Sequence, residues 1–181
     1  MKNKILIIAF TLLIGKSAYG SEKAVLAGGC FWGMQEIIRH IPGVEKTVVG
    51  YSGGNLEKVT YGLVSTGSTG FAESVEITFN PKILSYEKLL TWFFRMHDPT
   101  TKNQQGNDVG TQYRSAIFYN SPTQLKIARD SIERITRLKK WKKPIVTEVV
   151  PFKNFIKAED NHQDYLQKNP KGYTCHFLRP E

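Results

Sequence analysis

Lys23-Ala24-Val25-Leu26-Ala27-Gly28-Gly29-Cys30-Phe31-Trp32-Gly33 is the stretch on which the fold turns. Residues 23–27 read as a short strand. It runs through two glycines into a cysteine, two large aromatics and then a helical pattern, with Met34, Ile37, Ile38 and Ile41 on one face. Pro42-Gly43 stops that helix. The glycines allow a tight turn and leave room beside the sulfur. Cys30 is expected at or just before a helix N-terminus, where free N–H groups and the positive end of the dipole favour a thiolate. A nucleophile is one reading of Cys30, and a buried structural cysteine is the other.

Outward from this turn, strands and helices interleave. Residues 44–51 read as a second strand, with a turn at Gly53-Gly54-Asn55, and 59–64 as a short helix or irregular turn. Residues 72–79 alternate, with Val75, Ile77 and Phe79 on one face. Ser85 is an N-cap for a helix over 86–96. Strands are expected at about 114–119 and 145–150. Ser121-Pro122 starts a long helix to about Leu138, and a further helix spans 159–167. The order predicts an α+β fold, a two-layer α/β sandwich with irregular loops and an extended, mobile C-terminal tail from about 169 to 181. Between the second helix and the next strand lies a loop, 97–110, without an apolar run. Loops of this length are often functional, and a solvated connection is the alternative.

The 181 residues carry 25 Lys and Arg against 16 Asp and Glu, a formal charge of +9. Lys2 and Lys4, the apolar run Ile5–Ile14 and the small residues around Tyr19 form a signal-peptide pattern with cleavage after Gly20. An uncleaved anchor is the competing reading; no cysteine at the cleavage point would take a lipid. Removing that segment takes three lysines with it and leaves a single catalytic domain, 21–181, at +6. The cationic run Arg137–Lys143 reads as the solvated end of a helix and not as a nucleic-acid stripe. The expected location is therefore exported, periplasmic or secreted, with no stable membrane association after cleavage. Only Cys30 and Cys175 are present, so one static disulfide is compatible with the count. No metal-ligand spacing surrounds His162 or Cys175-His176, and no metal or other cofactor is expected. His40 and His97 read as surface or structural.

Seven blocks, taken together and in order, closely resemble the A-type peptide methionine sulfoxide reductases. They are Gly29-Cys30-Phe31-Trp32-Gly33, Gly50-Tyr51-Ser52-Gly53-Gly54, Gly70-Phe71-Ala72-Glu73, His97-Asp98-Pro99-Thr100-Thr101, Asn103-Gln104-Gln105-Gly106, the run from Asp108 to Ser115, and Ala158-Glu159-Asp160-Asn161-His162-Gln163. The resemblance covers about Lys23 to Leu166. It implies a ferredoxin-like core and reduction of the S epimer of methionine sulfoxide, the repair route for that lesion.

It also implies roles. Cys30 is the nucleophile, Phe31 and Trp32 the apolar wall for the substrate methyl, and Glu73 the acid. Tyr61, Asp108 and Tyr113 are polar site residues, and Cys175 is a recycling cysteine by its place in the tail. Phe71 stands where the family usually has His. The implied cycle passes through a Cys30 sulfenic acid and a Cys30–Cys175 disulfide, which a thioredoxin-like donor reopens. Substrates would be oxidised proteins or peptides, with free methionine sulfoxide a further candidate, and the enzyme a monomer. A thiol peroxidase or redox sensor, and an exported non-catalytic module with a static disulfide, are the rival readings.

Overall fold

In the computed structural model, which describes residues 20–180, eight strands and five helices run in the order β1 (Glu22–Gly28), α1 (Phe31–Arg39), β2 (Val44–Ser52), α2 (Tyr61–Val64), β3 (Ala72–Phe79), α3 (Tyr86–Met96), β4 (Gln104–Gln105), β5 (Asp108–Val109), β6 (Ser115–Tyr119), α4 (Pro122–Arg137), β7 (Glu148–Pro151), β8 (Ile156–Lys157) and α5 (Tyr165–Lys168). The signal segment expected over 1–20 lies outside the described residues except for Gly20. Among the described residues no helix is long and apolar enough to cross a membrane.

Six strands form one sheet in the order β7-β6-β1-β3-β2-β8. The central four, β6-β1-β3-β2, are mutually antiparallel. With α1 after β1 and α3 after β3 they make the split βαββαβ of a ferredoxin-like core. β7 adds in parallel at one edge, and β8 antiparallel at the other.

Strand alternation sorts the two faces. Leu26, Val49, Tyr51, Val75, Ile77, Phe79 and Ile117 point to the helices. There they meet Met34 and Ile38 of α1 and Leu89, Leu90 and Phe93 of α3, all buried. Each such side chain contributes roughly 1.5–3 kcal/mol by leaving water. The opposite face holds a smaller cluster, Val25, Ala27, Ala72, Ala116 and Phe118. Ser85 and Ser121 cap α3 and α4, each accepting the N–H three residues on, from Lys88 and Gln124.

Several expected boundaries move. The first helix starts at Phe31 with Cys30 as its N-cap, as expected, and ends at Arg39, before Ile41. The strand expected at 145–150 is Glu148–Pro151. The helix expected over 159–167 is reduced to Tyr165–Lys168. It cannot start earlier because Asp164 sits left-handed, at φ +55°. That conformation holds its carboxylate against Arg39 (2.6 Å) and Gln35 (3.2 Å) of α1. The loop 97–110 is built and not a solvated connection. It contains the hairpin β4–β5, and Gln105 is buried within it, its side-chain amide bonding both backbone groups of Asp98.

Candidate active site

β1 ends against the start of α1, and the turn between them sets the site. Gly29 has φ +103°, and a Cβ there would stand 2.5 Å from the Gln105 side chain, so only glycine fits. Cys30 follows as a buried N-cap, with the backbone N–H of Trp32 near enough to its sulfur to favour the thiolate in part. The helix terminus does not leave a resting thiolate, contrary to the expectation from position alone. Burial holds the thiol protonated well above its usual range, the nearby Glu73 charge adds to this, and the Trp32 N–H offsets only part.

Glu73 lies on β3, opposite Tyr51 of β2 and in phase with Val75, Ile77 and Phe79. It therefore faces the helices and is 2% exposed. Its Oε2 accepts the Phe31 N–H at 3.0 Å, which ties the carboxyl to the residue after the cysteine. Burial pushes its pKa up to about 8, against the opposing pull of that N–H. At neutral pH this carboxyl carries its proton.

Around the pair is an aromatic recess. Phe31 is fully buried and Trp32 partly so. The Trp32 indole N–H donates to His162 Nδ1 at 3.2 Å, and its ring stacks on Tyr165 at 3.8 Å. His162 also packs on Tyr61 (4.4 Å) and Phe31 (5.4 Å). Tyr51, fully buried, packs on Phe31 and donates its hydroxyl to Glu159 at 2.9 Å; the other Glu159 oxygen accepts the Tyr61 N–H. Tyr51, Glu159, His162 and Tyr165 are thus parts of the site that were not singled out as such from the sequence. Three of the four lie in or beside a quoted block, which was the available signal. The phenols of Tyr61 and Tyr113 are both raised, first by burial and next by the charge of Glu73, so both lie in its neighbourhood.

The C-terminal segment closes the site. Cys175 Sγ donates to Asp108 Oδ2 at 3.1 Å, Tyr173 donates to Asp108 Oδ1 at 3.0 Å, and the Cys30 backbone N–H lies near the Cys175 sulfur. His176, buried, donates from Nε2 to the Gly28 carbonyl at 2.8 Å. The tail runs without helix or strand over 173–180, as expected, and in this arrangement is seated across the start of α1. Both cysteines are free thiols. Asp108 sits in β5 just after the Gly106 turn. The loop root is held by His97, whose ring bonds Phe93 O and Ser115 Oγ and whose burial lowers its pKa to about 3. The structure thus brings together Cys30, Phe31, Trp32, Tyr61, Glu73, Asp108, Tyr113 and Cys175. Among the described residues no cluster of three or more His, Cys, Asp or Glu is arranged to hold a metal.

A carboxylic proton beside a buried thiol serves a reaction in which an oxygen must be protonated before it leaves its former partner. A second thiol against the first serves one in which the first becomes oxidised. Fold and site together define a thiol-dependent oxidoreductase on a ferredoxin-like scaffold. The family model for peptide methionine sulfoxide reductase matches residues 22–180. Peptide methionine sulfoxide reductase MsrA 1 of Mesorhizobium japonicum is 54% identical over 163 residues, 90% of this chain and 92% of the relative. The crystal structure of Mxr1 from Saccharomyces cerevisiae in reduced form is 41% identical, covers 89% of this chain and 93% of its own, and superposes with a TM-score of 0.84. A second structure of that protein, in complex with Trx2, is 27% identical over 93% of this chain and 97% of its own, with a TM-score of 0.62. This chain belongs to the peptide methionine sulfoxide reductase family, in its A-type branch.

Proposed function

We propose that, in the thiol-dependent reduction of methionine S-sulfoxide that this enzyme carries out, Cys30 is the nucleophile and Glu73 the acid. The observation that carries this assignment is the buried Glu73 carboxyl, bonded to the N–H directly after Cys30 and protonated at neutral pH. The substrate methyl lies against Phe31 and Trp32, and its oxygen faces Glu73, Tyr61 and Tyr113. As the Cys30 sulfur bonds to the sulfoxide sulfur, Glu73 protonates the oxygen, and the thiol proton of Cys30 restores Glu73. The oxygen passes to Cys30, methionine leaves, and Cys30 becomes a sulfenic acid. No net proton is consumed. The two phenols stabilise charge on the oxygen as it develops.

Cys175 then closes a disulfide with Cys30 and water departs. A thioredoxin-like dithiol reopens it by exchange, a reading supported by the Trx2 complex of the yeast relative. The experiment is an epimer-resolved turnover on thiol-reduced enzyme. Two free thiols should fall to none per methionine formed from the S epimer. Cys30→Ser abolishes methionine formation. Cys175→Ser forms one methionine and then stalls with thioredoxin; full steady-state activity in that variant removes Cys175 from the cycle.

We further propose that the enzyme is exported to the periplasm or secreted as a monomer after cleavage at Gly20, and repairs oxidised proteins and peptides there. Support comes from the Lys2–Lys4 start, the Ile5–Ile14 run and the small residues before Ser21. In an oxidising compartment the Cys30–Cys175 disulfide persists unless a dedicated donor reduces it. N-terminal sequencing of the exported protein should begin at Ser21; recovery of Met1 in the membrane fraction identifies an anchor instead.

A further inference from the structure

Asp108 is the only carboxylate that the tail engages through both oxygens among the described hydrogen bonds: Tyr173 at Oδ1, 3.0 Å, and Cys175 Sγ at Oδ2, 3.1 Å. The Cys30 backbone N–H lies near enough to the Cys175 sulfur to oppose part of the effect of its burial. A Cβ on Gly106, in the turn just before Asp108, would approach Cys175 Cβ to 3.1 Å, so the hairpin and the tail are in close contact. We propose that Asp108 is the proton acceptor for Cys175 during disulfide closure, and that Tyr173 is a positioning residue that seats the tail by holding the second oxygen of the same carboxylate.

This inference rests on the cycle proposed above. It adds the step that cycle leaves open, namely how the second thiol is activated. Cys175 is held protonated by burial and by the Asp108 charge, its pKa pushed up to about 12, so it does not ionise unaided at neutral pH. When Cys30 carries a hydroxyl, the Cys175 proton passes to Asp108 Oδ2 and the sulfur electron pair forms the S–S bond. The Cys30 S–O bond breaks, and the departing hydroxyl takes a proton from Asp108 to leave as water. One sulfur is oxidised from thiol to disulfide, and the other reduced from sulfenate to disulfide. No outside oxidant is needed.

A second base touches the thiol. His176 Nδ1 stands 3.5 Å from Cys175 Sγ, with its tautomer set by Nε2 donating to Gly28 O. Asp108 is nearer to the sulfur, at 3.1 Å. The other titratable groups facing Asp108 are Tyr173 and His176 of the tail, Cys30 at the start of α1, Glu73 of β3, Tyr61 of α2 and Tyr113 before β6.

The test is a single turnover of full-length reduced enzyme with a stoichiometric methionine S-sulfoxide peptide and no reductant. Methionine formed, free thiols remaining and dimedone-trapped sulfenic acid are each followed in time. In Asp108→Asn, closure at pH 7 slows by about 10²-fold, within the usual worth of a general base, and Cys30 sulfenic acid accumulates. The deficit shrinks as pH rises and Cys175 ionises by itself. Tyr173→Phe slows closure by several-fold, far less than Asp108→Asn, because the Asp108 acceptor remains. Charging Cys30 with hydrogen peroxide in place of the peptide reads closure independently of substrate contacts. Closure at the wild-type rate in Asp108→Asn overturns the proposal, as does a pH-dependent loss confined to His176→Gln. Absence of methionine from the wild-type enzyme refutes the cycle itself, a result separate from either.

Discussion

The backbone N–H of Phe31 and the carboxyl of Glu73, 42 positions apart in the chain, meet at 3.0 Å at the foot of α1. This single bond couples the acid to the turn that presents Cys30. A buried carboxyl held there can serve as a proton donor only while it is neutral. Glu73→Gln keeps an oxygen for the Phe31 N–H and removes the transferable proton. The first methionine should form at least about 10²-fold more slowly, the usual worth of a general acid. Stopped-flow or rapid-quench product analysis reads this directly. An unchanged single-turnover rate removes Glu73 as the acid.

The raised pKa of Glu73 fixes the sign of two pH effects. With a folded-state pKa of about 8, the reactive protonated form dominates below pH 8. The first-step rate should therefore fall by about tenfold per unit above it. Stability follows the same direction. The folded protein holds a proton on Glu73 that the unfolded chain, near the ordinary carboxyl value of 4.5, has released. This contribution is complete below pH 4.5 and is lost as pH rises through about 8. Denaturation midpoints measured across this range should decline more steeply for the wild type than for Glu73→Gln.

Local patterns in the chain carried the four central strands, α1, α3 and α4, because each has a clear period and a capping or breaking signal. Glu73 was also legible in principle: it falls in phase with Val75, Ile77 and Phe79, the core face of β3, although a carboxylate in an alternating strand ordinarily faces water. Other features depended on partners remote in sequence. The 159–167 helix was cut short by Asp164 bonding to Gln35 and Arg39, more than 120 residues away. The hairpin Gln104–Val109 has strands of two residues, too short to show a period. The thiolate expected at Cys30 failed because the dipole argument is local, whereas burial and the Glu73 charge are tertiary. The seat of Cys175 on Asp108, 67 residues earlier, left no trace in spacing.

His162 gives the aromatic recess its orientation, since Trp32 has its indole N–H on the ring nitrogen and its face near the same ring. His162→Phe retains the ring contacts and leaves that N–H without its acceptor. The expected destabilisation is about 1–3 kcal/mol where water cannot substitute, read as a lowered urea midpoint. With Trp32 free to turn, KM for the sulfoxide peptide should rise by several-fold more than kcat falls. His162→Gln, which restores an acceptor, should recover part of both. Equal loss in the two variants shows that ring packing, and not the hydrogen bond, orients Trp32.

Gly33 tests whether the seat of the tail is a working feature. It lies in the first turn of α1, where alanine is intrinsically the better helix former. A Cβ at this position, however, would run into Thr174 Oγ1 and come within 2.7 Å of His176 Nδ1, the residues on either side of Cys175. Gly33→Ala should therefore leave the helix intact and lift the tail from Cys30. Circular dichroism should be unaltered and methionine should still form in a single turnover. Disulfide closure, followed by loss of free thiols, should slow by about tenfold, equivalent to about 1.4 kcal/mol lost from the docked arrangement. The substitution touches neither Cys30, Glu73 nor Asp108, so the first methionine forms normally while Cys175 loses its place beside Cys30 and Asp108 together. Closure at the wild-type rate means that Cys175 reaches Cys30 without the seat formed by Thr174 and His176.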